Sequence, residues 1–90
     1  METPQFDLIS IKRLPPEEAI IRLNIYIVSN PADEEALTIR GQRLWSMGRR
    51  REAVNDFLAA ININPQSRAK MLLDYYNSIL DYYNKDLYNP

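Results

Sequence analysis

The side chains that most often carry out catalysis are missing from this 90-residue sequence. It contains no histidine and no cysteine, so the commonest general base and the strongest side-chain nucleophile are both absent. Without those two residue types, a tetrahedral zinc site of the usual kind cannot be built. The two glycines are isolated, whereas a phosphate-binding loop needs several close together. We therefore predict that the chain is not an enzyme and that it binds no cofactor or metal.

Two carboxylate pairs, Glu17-Glu18 and Glu34-Glu35, are the remaining candidates for acid–base chemistry. Both pairs are followed by apolar residues at helical spacing, so both stand at predicted helix starts. The helix dipole stabilises negative charge at that position. We interpret the pairs as structural acids rather than as a catalytic dyad.

Three consecutive arginines, Arg49, Arg50 and Arg51, form the densest charge cluster of the sequence. Such a cluster can meet phosphates, but Glu52 and Asp56 lie close by and the net charge of the chain is −1. A nucleic-acid binder usually has a basic surplus with interleaved aromatic residues. We interpret the cluster as a solvated turn between two helices. We expect no nucleic-acid partner, and weak nucleic-acid binding ranks last of the three functions considered.

The sequence shows neither an export signal nor a membrane span. Its first seven residues lack a basic region and a long apolar run, so they do not resemble a signal peptide. The longest nearly apolar stretch, 19–28, is interrupted by Arg22 and Asn24 and falls short of the roughly 20 residues that cross a bilayer. The lack of cysteine favours a reducing compartment. We expect a cytoplasmic protein without a membrane partner.

A short motif recurs along the chain at a fixed distance. Asn30-Pro31 returns as Asn64-Pro65, and 64 − 30 = 34. Ala19 returns as Ala53 at the same shift. A period of 34 residues indicates a repeat that consists of two helices joined by a turn.

One complete unit, residues 34–67, carries large, small and turn residues in a regular order. These residues are Leu37, Gly41, Leu44, Gly48, Ala53, Phe57, Ala60 and Pro65. The pattern resembles the tetratricopeptide repeat family, and the chain from 16 to 89 is similar to small stand-alone bacterial members of it. Arg40 departs from the pattern, because the family has an apolar residue at that position, and we expect weaker packing there.

The resemblance implies an all-α fold in which antiparallel helix pairs stack into a short right-handed superhelix. About two repeats would be followed by a C-terminal capping helix, in which Tyr75 replaces the small glycine of the repeat. The single domain 1–90 then divides into a degenerate first repeat at 4–29, a full repeat at 33–65, a capping helix at 66–84 and a tail at 85–90.

The N-terminal segment has two interpretations. Residues 4–13 fit a short helix with Thr3 as its N-cap and Pro4 in the first position. The residues that would pack inward from it are Phe6, Leu8, Ile9 and Ile11. The alternation of apolar residues equally fits an extended arm. The following helix is apolar nearly all round, so we expect cover on both of its sides.

The resemblance also predicts a binding surface, because the first helix of each pair lines the concave face of such a stack. The predicted contact residues are Glu35, Thr38, Gln42, Trp45, Ser46, Leu72 and Tyr76, with Ala69 and Ile79 beside them. Trp and Tyr are frequent anchors of interfaces. We predict a protein–protein interaction adaptor that binds a peptide or protein through this face. The alternative is that Trp45 and Tyr76 only pack against each other.

Some members of the family hold the terminal carboxylate of a peptide with a clamp of Lys, Asn and Arg. The matching positions carry Thr38, Ile39, Gln42, Ala69 and Leu73. The clamp is therefore absent, and we do not expect capture of a chaperone tail.

Self-association as a structural module is the second function considered. Two repeats bury only a small core, so a homodimer would add burial. Tyrosines crowd the C-terminal stretch, at Tyr75, Tyr76, Tyr82, Tyr83 and Tyr88. They fit the amphipathic end of a capping helix, or an exposed patch that pairs with another subunit.

Overall fold

The computed structural model describes the backbone of residues 7–88 and the side chains of residues 7–79. Within that part the chain forms five helices and no strand, which confirms the all-α prediction. The helices are α1 (Leu8–Lys12), α2 (Pro16–Ser29), α3 (Glu34–Ser46), α4 (Arg50–Ile63) and α5 (Ala69–Tyr88).

The helix starts follow from short polar side chains and prolines. Asp7 caps α1, because its carboxylate accepts a hydrogen bond from the backbone N–H of Ser10 at 2.8 Å. Asp33 caps α3 through the N–H of Ala36 at 3.2 Å. Pro16 occupies the first position of α2, where the missing N–H costs nothing.

The turn between α3 and α4 depends on Gly48. Its φ of 79° lies in the left-handed region, which an L side chain adopts only with strain. In this conformation the N–H of Gly48 bonds the carbonyl of Trp45, and that of Arg49 bonds the carbonyl of Leu44. Gly48 therefore terminates α3 as the sequence predicts.

Helices α2 and α4 coincide at the shift found in the sequence. Each has 14 residues; their starts differ by 50 − 16 = 34, and their ends by 63 − 29 = 34. The two helices therefore occupy equivalent positions along the chain, which allows residue-by-residue comparison between them.

The larger hydrophobic cluster is centred on Phe57 of α4, which is fully buried. Gly41 of α3 lies directly against its ring: a Cβ placed on Gly41 would stand 2.6 Å from Phe57 Cε1. Other buried members are Ile20, Leu37, Leu44, Ala53, Ala60 and Ala69. The spacing of Gly41 and Phe57 thus predicted the closest approach between two helices.

A second cluster joins α1 to α2 and α3. Ile11 is fully buried and packs with Leu23 and Ile39, while Leu8 is partly buried beside them. Ile9 is 66% exposed, so its predicted inward packing is wrong. On a helix that starts at Leu8, Ile9 and Ile11 cannot share one face.

The N-terminal segment is helical from Leu8, with Asp7 as its cap. This part of the chain is not an extended arm. The predicted cap Thr3, together with Pro4 and Phe6, lies outside the described residues. Because α1 has only five residues, it covers one side of α2. The expected cover on the opposite side of α2 is not seen among residues 7–79.

Helix α5 begins and ends later than the predicted 66–84. Asn64 and Ser67 form a turn in which the hydroxyl of Ser67 accepts from the N–H of Ala69 at 3.1 Å, so the helix starts at Ala69. It continues to Tyr88, and residues 85–88 of the predicted tail are helical. No glycine or proline interrupts the chain between 66 and 88.

Arg40, which departs from the repeat pattern, binds its surroundings instead of weakening them. Its guanidinium donates to Asp56 at 2.7 and 2.8 Å and to the side-chain oxygen of Asn24 at 3.0 Å. The hydrogen bonds to Asp56 raise the pKa of Arg40 above its ordinary value. One side chain of α3 thereby connects α4 and α2.

Candidate functional site

The predicted contact residues were taken from α3 and α5, and both helices pack on α4. Side chains cross from α3 to the α5 region at two places, one aromatic and one polar. We call the surface between them the α3–α5 face and define it by Glu35, Gln42, Trp45, Ser46, Leu72 and Tyr76. All six side chains are partly or fully exposed.

The aromatic contact is a stack of rings from two helices. Trp45 of α3 lies on Tyr76 of α5 with centroids 4.2 Å apart and planes at 15°. Tyr76 in turn lies 5.7 Å from the buried ring of Phe57, which anchors the stack to the core. The alternative given for Trp45 and Tyr76, mutual packing, is therefore seen, but both rings keep part of their surface exposed.

A cation completes the aromatic group. The guanidinium of Arg50, at the start of α4, lies 5.4 Å from the centroid of the Trp45 ring. This distance is within the range of a cation–π interaction. Arg50 thus belongs to the α3–α5 face, although the sequence analysis placed it only in a solvated turn.

The polar contact joins α3 to the turn before α5. Arg68 donates to the carboxylate of Glu35 at 2.8–3.1 Å and more weakly to Gln42 at 3.4 Å. Lys12 of α1 reaches the same carboxylate at 3.8 Å. Sequence reasoning missed Arg68 and Lys12. The 33-residue separation of Arg68 from Glu35, almost one period, was the signal available for the first of them.

Thr38 is the one predicted contact residue that cannot serve as such. It is fully buried, and its hydroxyl donates to the carbonyl of Glu34 at 2.8 Å and lies 3.5 Å from that of Ser67. Glu34 also accepts hydrogen bonds from Asn64 and Ser67. The turn that carries Asn64 and Ser67 covers Thr38, because α5 starts later than expected.

The carboxylate pair at the start of α3 has structural partners. Glu34 binds the turn before α5, and Glu35 binds Arg68 and Lys12. This agrees with the interpretation of the pair as structural acids. Among the described residues, no group of three or more His, Cys, Asp and Glu stands ready to hold a metal ion.

The positions matching the carboxylate clamp are mostly inaccessible. Ile39 and Ala69 are fully buried, as Thr38 is, and Leu73 is partly buried in the larger cluster. Only Gln42 presents a polar group to the surface. These side chains cannot form a clamp in this arrangement.

The arginine cluster divides among different partners. Arg49 makes two hydrogen bonds of 2.7 Å to Glu52, which raise the pKa of Arg49 and lower the pKa of the Glu52 carboxyl. Arg50 lies over Trp45, and Arg51 is exposed. Asp56 binds Arg40 and does not offset the cluster, contrary to expectation. The three arginines therefore do not act as one patch.

The α3–α5 face carries more cations than anions. Lys12, Arg50 and Arg68 lie at it, with Arg43 donating to the carbonyl of Lys12 at 3.4 Å. Glu35 is the carboxylate paired with two of them. A partner with a carboxylate would meet a favourable field here.

Of the C-terminal tyrosines, only two have described side chains. Tyr75 is 61% exposed and lies 5.5 Å from the ring of Tyr76. The side chains of Tyr82, Tyr83 and Tyr88 lie outside the described part, so the predicted patch is not tested by them. In the described residues, no helix is long and apolar enough to cross a membrane.

Comparisons with known proteins give no relative for this arrangement. No family model matches the chain, and neither the curated proteins nor the solved structures contain a match.

Proposed function

We propose that this chain is a tetratricopeptide-type interaction module that binds a peptide or a protein through the α3–α5 face. One observation carries the proposal. Two aromatic rings, Trp45 and Tyr76, are held rigidly in a stack yet remain partly exposed beside the polar side chains of Gln42 and Ser46. Such a combination is typical of interface hot spots.

The repeat arrangement has independent support from the helix bounds. The 34-residue shift between α2 and α4, and the contact of Gly41 with Phe57, are what a stacked helix-pair repeat requires. In such a stack the first helices share one surface, which places α3 and α5 side by side.

The face offers a partner three kinds of contact. The Trp45–Tyr76 stack provides apolar area whose conformational entropy is already restricted, so little is lost on binding. The amide of Gln42 and the hydroxyl of Ser46 provide hydrogen bonds. Arg68 shares Glu35 with Lys12, which leaves net positive charge for an acidic group of the partner.

We expect Trp45→Ala to weaken binding by at least about ten-fold, and Gln42→Ala by a few-fold, because a central aromatic anchor contributes more than a polar neighbour. Peptides selected from a random library on the wild-type protein would serve as probes. Their dissociation constants would be measured by fluorescence anisotropy.

The control is Asn55→Ala, an exposed change on α4 that should leave binding unchanged. Circular dichroism would establish that each variant keeps its helices. Selected peptides that bind wild type and Trp45→Ala equally would show that the site lies elsewhere.

A further inference from the structure

Helix α2 exposes a continuous apolar stripe on the side opposite its buried residues. Ile21 is 55% exposed, Ile25 62% and Val28 82%. Their spacing of four and then three residues places them on one face of the helix. Single exposed apolar residues are ordinary, whereas a contiguous stripe marks an interaction surface.

Helix α4 provides an internal control for this stripe. At the 34-residue shift, Ile21, Ile25 and Val28 correspond to Asn55, Ala59 and Asn62, and all three are exposed. The same outward positions of an equivalent helix are thus polar or small. The fold does not require apolar residues there, so the stripe on α2 needs a separate explanation.

The charges around the stripe restrict what can cover it. Glu17 and Glu18 stand in the first turn of α2, and its last turn has no basic residue. The one basic residue of the helix, Arg22, is partly buried. An anionic lipid surface would be repelled by this acidic end. An uncharged apolar surface of helical shape fits the stripe better.

We propose that the stripe pairs with the same stripe of a second copy, α2 against α2 in antiparallel orientation, with the two-fold axis near Ile25. The spacing of the stripe is that of the seam between two packed helices. A two-fold axis makes the surface its own complement and closes the assembly at a dimer. This inference does not depend on the proposed function, which concerns other residues.

The acidic end of α2 selects the antiparallel orientation. A helix of 14 residues is about 21 Å long, so antiparallel pairing separates the two Glu17-Glu18 ends by more than the screening distance of roughly 8 Å. Parallel pairing would bring four carboxylates together and align the two helix dipoles unfavourably.

The size of the stripe indicates a weak dimer. Together the three side chains expose about as much surface as two complete aliphatic side chains. A stable interface buries about 800 Å² per partner, which one short helix ridge does not reach. We therefore expect monomer and dimer to exchange, with a dissociation constant on the order of 10–500 µM.

Sedimentation velocity of the full chain over a range of concentrations tests the proposal. Wild type should pass from monomer to dimer as the concentration rises through the range given above. The triple variant Ile21→Asn/Ile25→Ala/Val28→Asn copies the outward residues of α4 and should dimerise at least about ten-fold more weakly. The control Asn55→Ala/Asn62→Ala, on α4, should dimerise like wild type.

The absence of native cysteine allows the geometry to be tested by cross-linking. Ile25→Cys lies near the proposed axis and should form a disulfide-linked dimer on mild oxidation. Glu18→Cys lies on the same side of α2 but at its end, so it should remain monomeric. Circular dichroism would verify the fold of every variant.

Three results would overturn the proposal. The first is a wild-type chain that stays monomeric at every concentration. The second is a dimer that the triple variant does not weaken, since another surface would then be responsible. The third is cross-linking of Glu18→Cys as readily as of Ile25→Cys, which requires a different orientation.

Discussion

At the scale of single residues, the contact of Gly41 with Phe57 sets the distance between α3 and α4. The Phe57 ring is fully buried, and Tyr76 stacks on it from the side, so the ring has little freedom to move. A missing Cβ at Gly41 is therefore a packing requirement. It outweighs the roughly 1 kcal/mol that glycine costs within a helix.

We expect Gly41→Ala to destabilise the protein by about 1–3 kcal/mol, because its Cβ would stand 2.6 Å from Phe57 Cε1 and force the helices apart. Urea denaturation would measure the loss. Combining it with Phe57→Leu, which shortens the side chain, should cost less than the sum of the two single changes. Strict additivity of the two changes would argue against the contact.

Single residues also show where sequence reasoning succeeds and fails. Gly41, Gly48 and Phe57 were predicted because their spacing expresses a backbone constraint. Arg40 was misjudged, since its partner Asp56 lies 16 residues away on another helix and the pattern records only residue size. Thr38 was misjudged for a similar reason, as a turn later in the chain covers it.

At the scale of elements, the group formed by Arg40, Asp56 and Asn24 holds three helices together. The side chain of Asp56 is 9% exposed and that of Arg40 23%, so this ion pair is shielded from solvent on most sides. Removing one member of such a pair leaves a charge without its partner in a poorly solvated place.

We expect Asp56→Ala to lower the free energy of unfolding by about 3 kcal/mol, because Arg40 would lose both hydrogen bonds to its partner. The double change Arg40→Met/Asp56→Leu should recover most of that loss, since two apolar side chains of similar size can pack there. Thermal unfolding would compare the two. A double variant as unstable as Asp56→Ala would contradict this account.

Element boundaries were predicted less well than element types. The shift of 34 residues located α2 and α4, but the start of α5 depends on the hydroxyl of Ser67 bonding the N–H of Ala69. Helix α1 depends likewise on Asp7 rather than on Thr3. Several residues near each start can act as caps, and only tertiary packing decides which one does.

At the scale of the whole molecule, the stability of the fold depends on pH through a few shifted groups. The N–H of Ser10 lowers the pKa of Asp7, and Arg49 lowers that of Glu52. The hydroxyl of Tyr26 donates to Asp33 at 2.7 Å, which raises the pKa of Tyr26.

These shifts predict a loss of stability at both ends of the pH range. A carboxyl with a lowered pKa stabilises the fold above its ordinary pKa of about 4, and this contribution is lost as the pH falls. A tyrosine with a raised pKa stabilises the fold below about pH 10, and its contribution is lost as the pH rises through the folded value.

Denaturation in urea at a series of pH values would measure this dependence. Asp7→Asn should reduce the slope below about pH 5, and Tyr26→Phe should reduce the slope above about pH 10. Each change should leave the opposite limb as in wild type. Slopes identical to those of wild type in both variants would show that other groups control the titration.

The exposed ring of Tyr75 has a consequence for how large an assembly of this chain can become. Tyr75 stands 34 residues after Gly41, at the position where α3 presents bare backbone to Phe57. A helix shaped like α4 that approached α5 from this side would meet a phenol group instead of an empty space. Neighbouring molecules are thereby prevented from adding one after another into an open-ended filament.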